Sequence, residues 1–136
     1  MILRFFALFE RTDDYERPMT EFLNRYMRDG RVFDEAKIQV LCSLFERTVA
    51  AVSHSLGERP FRPERNLNAA VFDSVMVGLA CRLLEKDQEP DAAAVDEAYR
   101  GLLGRKACRD AYVRSTSDTL VVKRRVSLAT KAFANV

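Results

Sequence analysis

The chain is predicted to be all-α, a single domain of about seven helices bundled around a buried central helix at residues 68–84. Three observations predict it. NAAVFDSVMVGLACRLL, from Asn68 to Leu84, is apolar on nearly every side of a helical wheel, the signature of a helix enclosed by others. Elsewhere apolar residues recur at three- and four-residue spacing, and no run alternates at period two for long enough to make a strand. Gly, Pro, Asp and Asn punctuate these stretches where helices need stops and caps.

The elements follow in order. Met1 to Glu10 reads as a first helix with Leu3, Phe6 and Phe9 inward and Phe5 left over for another surface. After the polar RTDDYER, Pro18 suits the first turn of a second helix, where its missing N–H is not needed. Met19, Phe22, Leu23, Tyr26 and Met27 form its inner stripe, and Gly30 stops it. Asp34 caps the longest helix, in which Ile38, Leu41, Phe45, Val49, Val52 and Leu56 step by 3, 4, 4, 3 and 4. Gly57 closes it. ERPFRPER, residues 58–65, cannot be regular helix because of Pro60 and Pro63. The central helix follows with Asn66 or Asn68 as cap. Asp91 caps a fifth helix through Val95, Ala98, Tyr99, Leu102 and Leu103, which Gly104 ends. A short helix from Arg105 to Arg114 carries Ala107, Cys108, Ala111 and Tyr112, and Ser117 or Asp118 caps a last helix with inner stripe Val122, Val126, Ala129 and Phe133.

A chain of 136 residues can bury roughly 68 to 70% of its unfolded surface in one core. Hydrophobic residues at 48% and charged residues at 31% exclude a disordered chain. The central stretch falls short of the roughly 20 apolar residues a bilayer requires and contains Asp73, so no membrane role is expected. Net charge is +2, but Arg105 to Val136 holds eight Lys or Arg against two acids. Cys42, Cys81 and Cys108, odd in number and widely spaced, read as reduced core thiols of a cytoplasmic protein. Arg4 interrupts the apolar start, so no secretory signal is read. MILRFFALF nevertheless begins fully hydrophobic and uncapped, which suggests the C-terminal part of a larger protein or a subunit apart from its partner.

Catalysis needs convergent titratable groups. His54 is the single histidine, and the chain has no CxxC, HxxxH or paired-acid motif, so no catalytic residue, metal or cofactor is expected. GLLGRK, residues 101–106, reads as a helix end rather than a nucleic-acid loop, since that loop belongs to a fold with a sheet. Arg59, Arg62 and Arg65 precede a helix start, where free N–H groups favour an anion, so a phosphate could dock there. The competing reading has Phe61 plugging the core and the arginines paired with Glu58, Glu64 or neighbouring helices. Lys123, Arg124 and Lys131, with Arg105, Lys106, Arg109 and Arg114 nearby in sequence, could contact a nucleic-acid backbone, although a solvated helix face also explains them. Asp73 sits in the central helix and needs a cationic partner. Arg125 lies on the flank of the last helix's apolar stripe, whereas Lys123 faces out, so an Asp73–Arg125 pair is expected; the competing reading has Asp73 accepting from a loop N–H and Arg125 in solvent. Phe5 and Phe9 cannot both point inward with Leu3 and Phe6, which predicts an exposed apolar face and hence self-association or a protein partner.

PMTEFLNRYM (18–27), PFRPERNLNAAVFDSVMVGLA (60–80) and STSDTLVVKRRVSLAT (115–130) together resemble the C-terminal helical region of the ParB-like nuclease and NTPase proteins with a DGQQR motif, relatives of GmrSD-type restriction systems that cut modified phage DNA. An arginine in the place of Arg125 is typical of that family. The chemistry of the family is associated with an N-terminal domain and its DGQQR motif, and some members add an HNH-like domain. Neither motif occurs here, so no catalytic residue carries over. The resemblance implies a non-catalytic helical accessory domain of a DNA-targeting defence nuclease, not an enzyme on its own. It would pack on a missing N-terminal domain or a partner and bind DNA weakly. The alternative is a free-standing helical protein-interaction module with no nucleic-acid role.

Overall fold

The computed structural model describes residues 1–58, 60–62, 65–113 and 116–136, with the backbone alone for Ala107, Cys108, Arg109 and Val113. Seven α-helices occupy the described residues: α1 Ile2–Arg11, α2 Met19–Gly30, α3 Glu35–Leu56, α4 Ala69–Lys86, α5 Ala92–Gly104, α6 Lys106–Val113 and α7 Thr119–Phe133. One 3-10 turn, Thr12–Asp14, follows α1. The described residues contain no strand, so the chain is an all-α bundle.

Capping accounts for most helix starts. Asp34 accepts from the Lys37 N–H at 2.8 Å, Asn68 from those of Ala70 and Val71 at 2.9 and 3.1 Å, and Asp91 from that of Ala94 at 2.8 Å. Asp118 accepts from the Leu120 N–H at 3.1 Å. Each bond satisfies a donor that the first helical turn leaves open. Pro18 stands one residue before α2 rather than inside its first turn. Gly57 follows α3 with φ +71°, a conformation that L side chains rarely adopt.

Helix α4 is the centre. From Ala70 through Ala80 every residue is buried, and α7, α3 and α1 pack around it. Its contact with α7 is close because Gly78 has no side chain: a Cβ there would lie 2.9 Å from the backbone carbonyl carbon of Ala129 and from the Phe133 ring. The pairings Asp73 with Arg125, Gly78 with Ala129 and Arg82 with Val136 advance together along both helices, so α4 and α7 run parallel. The expected stripe of α7 is all buried. Arg82, also buried, donates to the carbonyls of Val136 and Gln88.

Two helices turn differently from expectation. In α1 the fully buried residues are Phe5, Ala7 and Leu8, while Leu3, Phe6 and Phe9 are half-buried. Phe5 is therefore not spare surface. Its ring meets Phe6, Phe9 and Phe45 at centroid distances of 5.2, 5.9 and 5.2 Å, and Arg4 beside it enters the interior, which brings Phe5 and Leu8 inward with it. In α3 the buried residues are Leu44, Thr48, Ala51 and Val52, while Ile38 and Val49 of the expected stripe are 47% and 42% exposed. Met27 of α2 is likewise exposed. Cys42 is exposed and Cys81 half-buried, so the reading of core thiols fails for Cys42. Cys108 lies outside the described side chains.

Candidate functional site

The polar centre of the bundle forms where α1, α4 and α7 meet. Asp73 is wholly buried, and both of its oxygens are engaged. Arg4 Nε donates to Oδ1 at 3.0 Å and its Nη2 to Oδ2, while Arg125 Nη2 also donates to Oδ2 at 2.8 Å. Arg125 Nη1 donates to the carbonyl of Thr116, and its Nε is buried without a hydrogen-bond partner among the described residues. One carboxylate thus holds two guanidiniums. Burial lowers the pKa of Arg125, and the like charge of Arg4 adds to that against the pull of Asp73. For Arg4, burial is outweighed by the hydrogen bond and charge of Asp73, and its pKa is raised. Tyr15, also wholly buried, donates to the Ser117 carbonyl at 2.7 Å, and burial raises its phenol pKa. Together with the bond from Lys123 Nζ to the Asp13 carbonyl, these contacts tie the segment after α1 to the start of α7. The arrangement fixes helix register, and its members bond to one another rather than facing a cleft.

The surface offers a different feature. An apolar groove of about 270 Å³ opens between α1, α2 and α3, with Leu3 and Phe6 from α1, Met27, Gly30 and Phe33 on the α2 side, and Ile38, Leu41 and Cys42 from α3. A polar clamp braces it: the Tyr26 hydroxyl donates to Glu10, and Lys37 Nζ lies 2.9 Å from Glu10 and 3.8 Å from the Phe33 ring centroid. Burial, followed by the bond to Glu10, raises the Tyr26 pKa far above its ordinary range. A second depression of about 530 Å³ lies between α3 and the end of α4, flanked by exposed Val40 and Leu84 and crossed by Arg47, which pairs with Asp87 at 2.8 Å.

The basic candidates divide. Arg62 and Arg65 are exposed in the loop before α4, and Arg124 is exposed on the second turn of α7. Because α4 and α7 are parallel, these three belong to one end of the bundle. Lys131 is exposed near the opposite end of α7. Lys123 is half-buried and bonded to Asp13, so it does not face out as expected. Arg59 and Arg114 lie outside the described residues, as does the side chain of Arg109. Phe61 packs its ring on Phe72 at 4.9 Å, as a core plug would. His54 is exposed, and no three His, Cys, Asp or Glu side chains converge among the described residues. No described helix is long and apolar enough to cross a membrane.

Sequence reasoning brought Asp73 and Arg125 together but missed Arg4. The available signal was a lone arginine in an apolar helix, four residues before a leucine, so that both share a face. The groove was also missed, because it is made from three helices whose half-apolar flanks mean little separately. No family model, curated protein or solved structure matches the chain.

Proposed function

We propose that the chain is a non-catalytic helical accessory domain of a DNA-targeting, restriction-type nuclease protein, docking on the nuclease domain or a partner subunit through the α1–α2–α3 groove. The groove is the observation that carries this reading. It is apolar, open and edged by exposed Met27 and Ile38, and apolar surface of this kind marks interfaces. The resemblance of residues 18–27, 60–80 and 115–130 supports the DNA-targeting context, and the exposed Arg62, Arg65 and Arg124 supply phosphate-seeking charge at one end of the bundle.

The test begins with the DNA beside this gene. A frame encoding DGQQR is expected there, and its product should co-elute with the chain in size-exclusion chromatography. Met27→Glu with Ile38→Asp should abolish co-elution while leaving the circular dichroism spectrum unchanged. Absence of such a frame, or separate elution, would overturn the nuclease context. The free-standing interaction module would then remain, favoured by the same groove.

A further inference from the structure

Helix α3 has two apolar faces. Leu44, Thr48, Ala51 and Val52 are buried in the bundle. A second stripe, Ile38, Cys42, Phe45 and Val49, steps by 4, 3 and 4 and runs into the buried face at Val52, with the heptad spacing of a coiled-coil seam. Helix α1 covers the seam at Phe45, through the rings of Phe5 and Phe6 at 5.2 and 5.7 Å. Towards its N-terminus the seam is bare: every residue from Asp34 to Ser43 except Leu41 is exposed. Ile38 and Cys42 of this bare section also line the groove, so seam and groove form one continuous surface.

The charges beside that surface are ordered. Along the solvent edge of the seam lie Gln39, Glu46 and Ser53, with Glu35 at its N-terminal end, and both carboxylates belong to exposed residues. Lys37, the nearby cation on α3, is engaged by Glu10 instead. Across the groove, α2 presents Met27, and exposed Arg31 follows the end of that helix. We propose that this surface receives an amphipathic helix of another protein, which lays an apolar ridge along Ile38 and Cys42, inserts one large apolar side chain beside Met27, and turns Lys or Arg toward Glu35 and Glu46. A second copy fits poorly, since antiparallel pairing of two α3 helices over the bare Ile38–Cys42 section would bring Glu46 of one copy close to Glu35 of the other. This inference rests on the docking reading above and adds the partner's chemistry to it.

The test uses the full chain and two labelled heptad peptides, with leucine at the seam positions and either lysine or glutamate at the flanks. In fluorescence anisotropy the lysine peptide should bind about tenfold more tightly than the glutamate peptide, the effect of two exposed ion pairs against two like-charge contacts. Glu35→Lys with Glu46→Lys should reverse that order, and Ile38→Asp should abolish binding of both. All three positions are exposed, so the variants should melt like the parent. Equal binding of the two peptides would overturn the proposed partner chemistry while leaving apolar docking intact. Failure of both peptides would overturn the helix-in-groove mode, with co-elution of the DGQQR polypeptide still deciding the docking reading separately. A dimer by sedimentation that Ile38→Asp dissolves would make the occupant a second copy and overturn the proposal.

Discussion

Replacing Asp73 by Leu tests the polar centre directly. The substitution removes the acceptor of three charge-assisted bonds and strands Arg125, whose side chain is 0% exposed, while Arg4, at 21%, can turn toward water. Leaving a buried charge uncompensated costs roughly 3 to 5 kcal/mol. At about 2.1 cal/mol/K per residue, 136 residues have an unfolding entropy of about 0.29 kcal/mol/K, so the Tm should fall by about 10 to 17 °C. Arg125→Met should cost less, about 1.5 to 3 kcal/mol, because Asp73 keeps both bonds from Arg4 and the exposed Thr116 can hydrate its carbonyl. Combining Asp73→Leu with Arg125→Met should recover about 2 kcal/mol relative to the sum of the single changes, and adding Arg4→Met should recover more, since apolar replacement of a whole buried ion cluster is often close to neutral. The assay is urea and thermal unfolding followed by far-UV circular dichroism, with the triple variant as reference if Asp73→Leu alone does not fold. Losses that add to within about 0.5 kcal/mol would refute the claim that these residues act as one unit.

Other expectations concern packing, capping and reactivity. Gly78→Ala should destabilise by about 1 to 3 kcal/mol, since the new methyl meets the backbone of α7; Gly101→Ala, with open space around it in the last turn of α5, should instead stabilise by up to about 0.5 to 1 kcal/mol. Maleimide should label exposed Cys42 well before Cys81, whose thiol is half-buried and whose pKa is raised by that burial, leaving less thiolate near neutral pH; faster labelling of Cys81 would contradict the packing. The hydrogen bond from Arg11 holds the Asp29 carboxyl below its ordinary range, so its contribution to stability is complete above the usual carboxylate pKa and lost as pH falls through the lowered value. Asp29→Asn should therefore lower stability slightly at neutral pH, as loss of an exposed pair does, and flatten the acid limb, the two profiles converging at low pH. If the chain contacts duplex DNA, Arg124→Ala and Lys131→Ala should each reduce the slope of log affinity against log salt by about 0.9, and absence of binding at low salt would remove the phosphate-contact reading.

The sequence by itself determined the helices and the identity of the central one. Caps at Asp34, Asn68, Asp91 and Asp118 are local chemistry, readable without neighbours. A segment apolar all round has only one place to go, and α7, with a single apolar stripe, has only one way to face. The need of Asp73 for a cation was also legible, since a carboxylate inside such a helix is costly unless paired. Tertiary structure decided what periodicity leaves degenerate. Helices α1 and α3 each have two apolar flanks, and which is covered depends on what stands opposite. The pull of Asp73 on Arg4 turned Phe5 and Leu8 inward, and Phe45 took the place beside them, leaving Ile38, Cys42 and Val49 in water. The groove exists because three helices bring partly apolar flanks together without closing over them, and pattern along one chain does not encode that distance between helices.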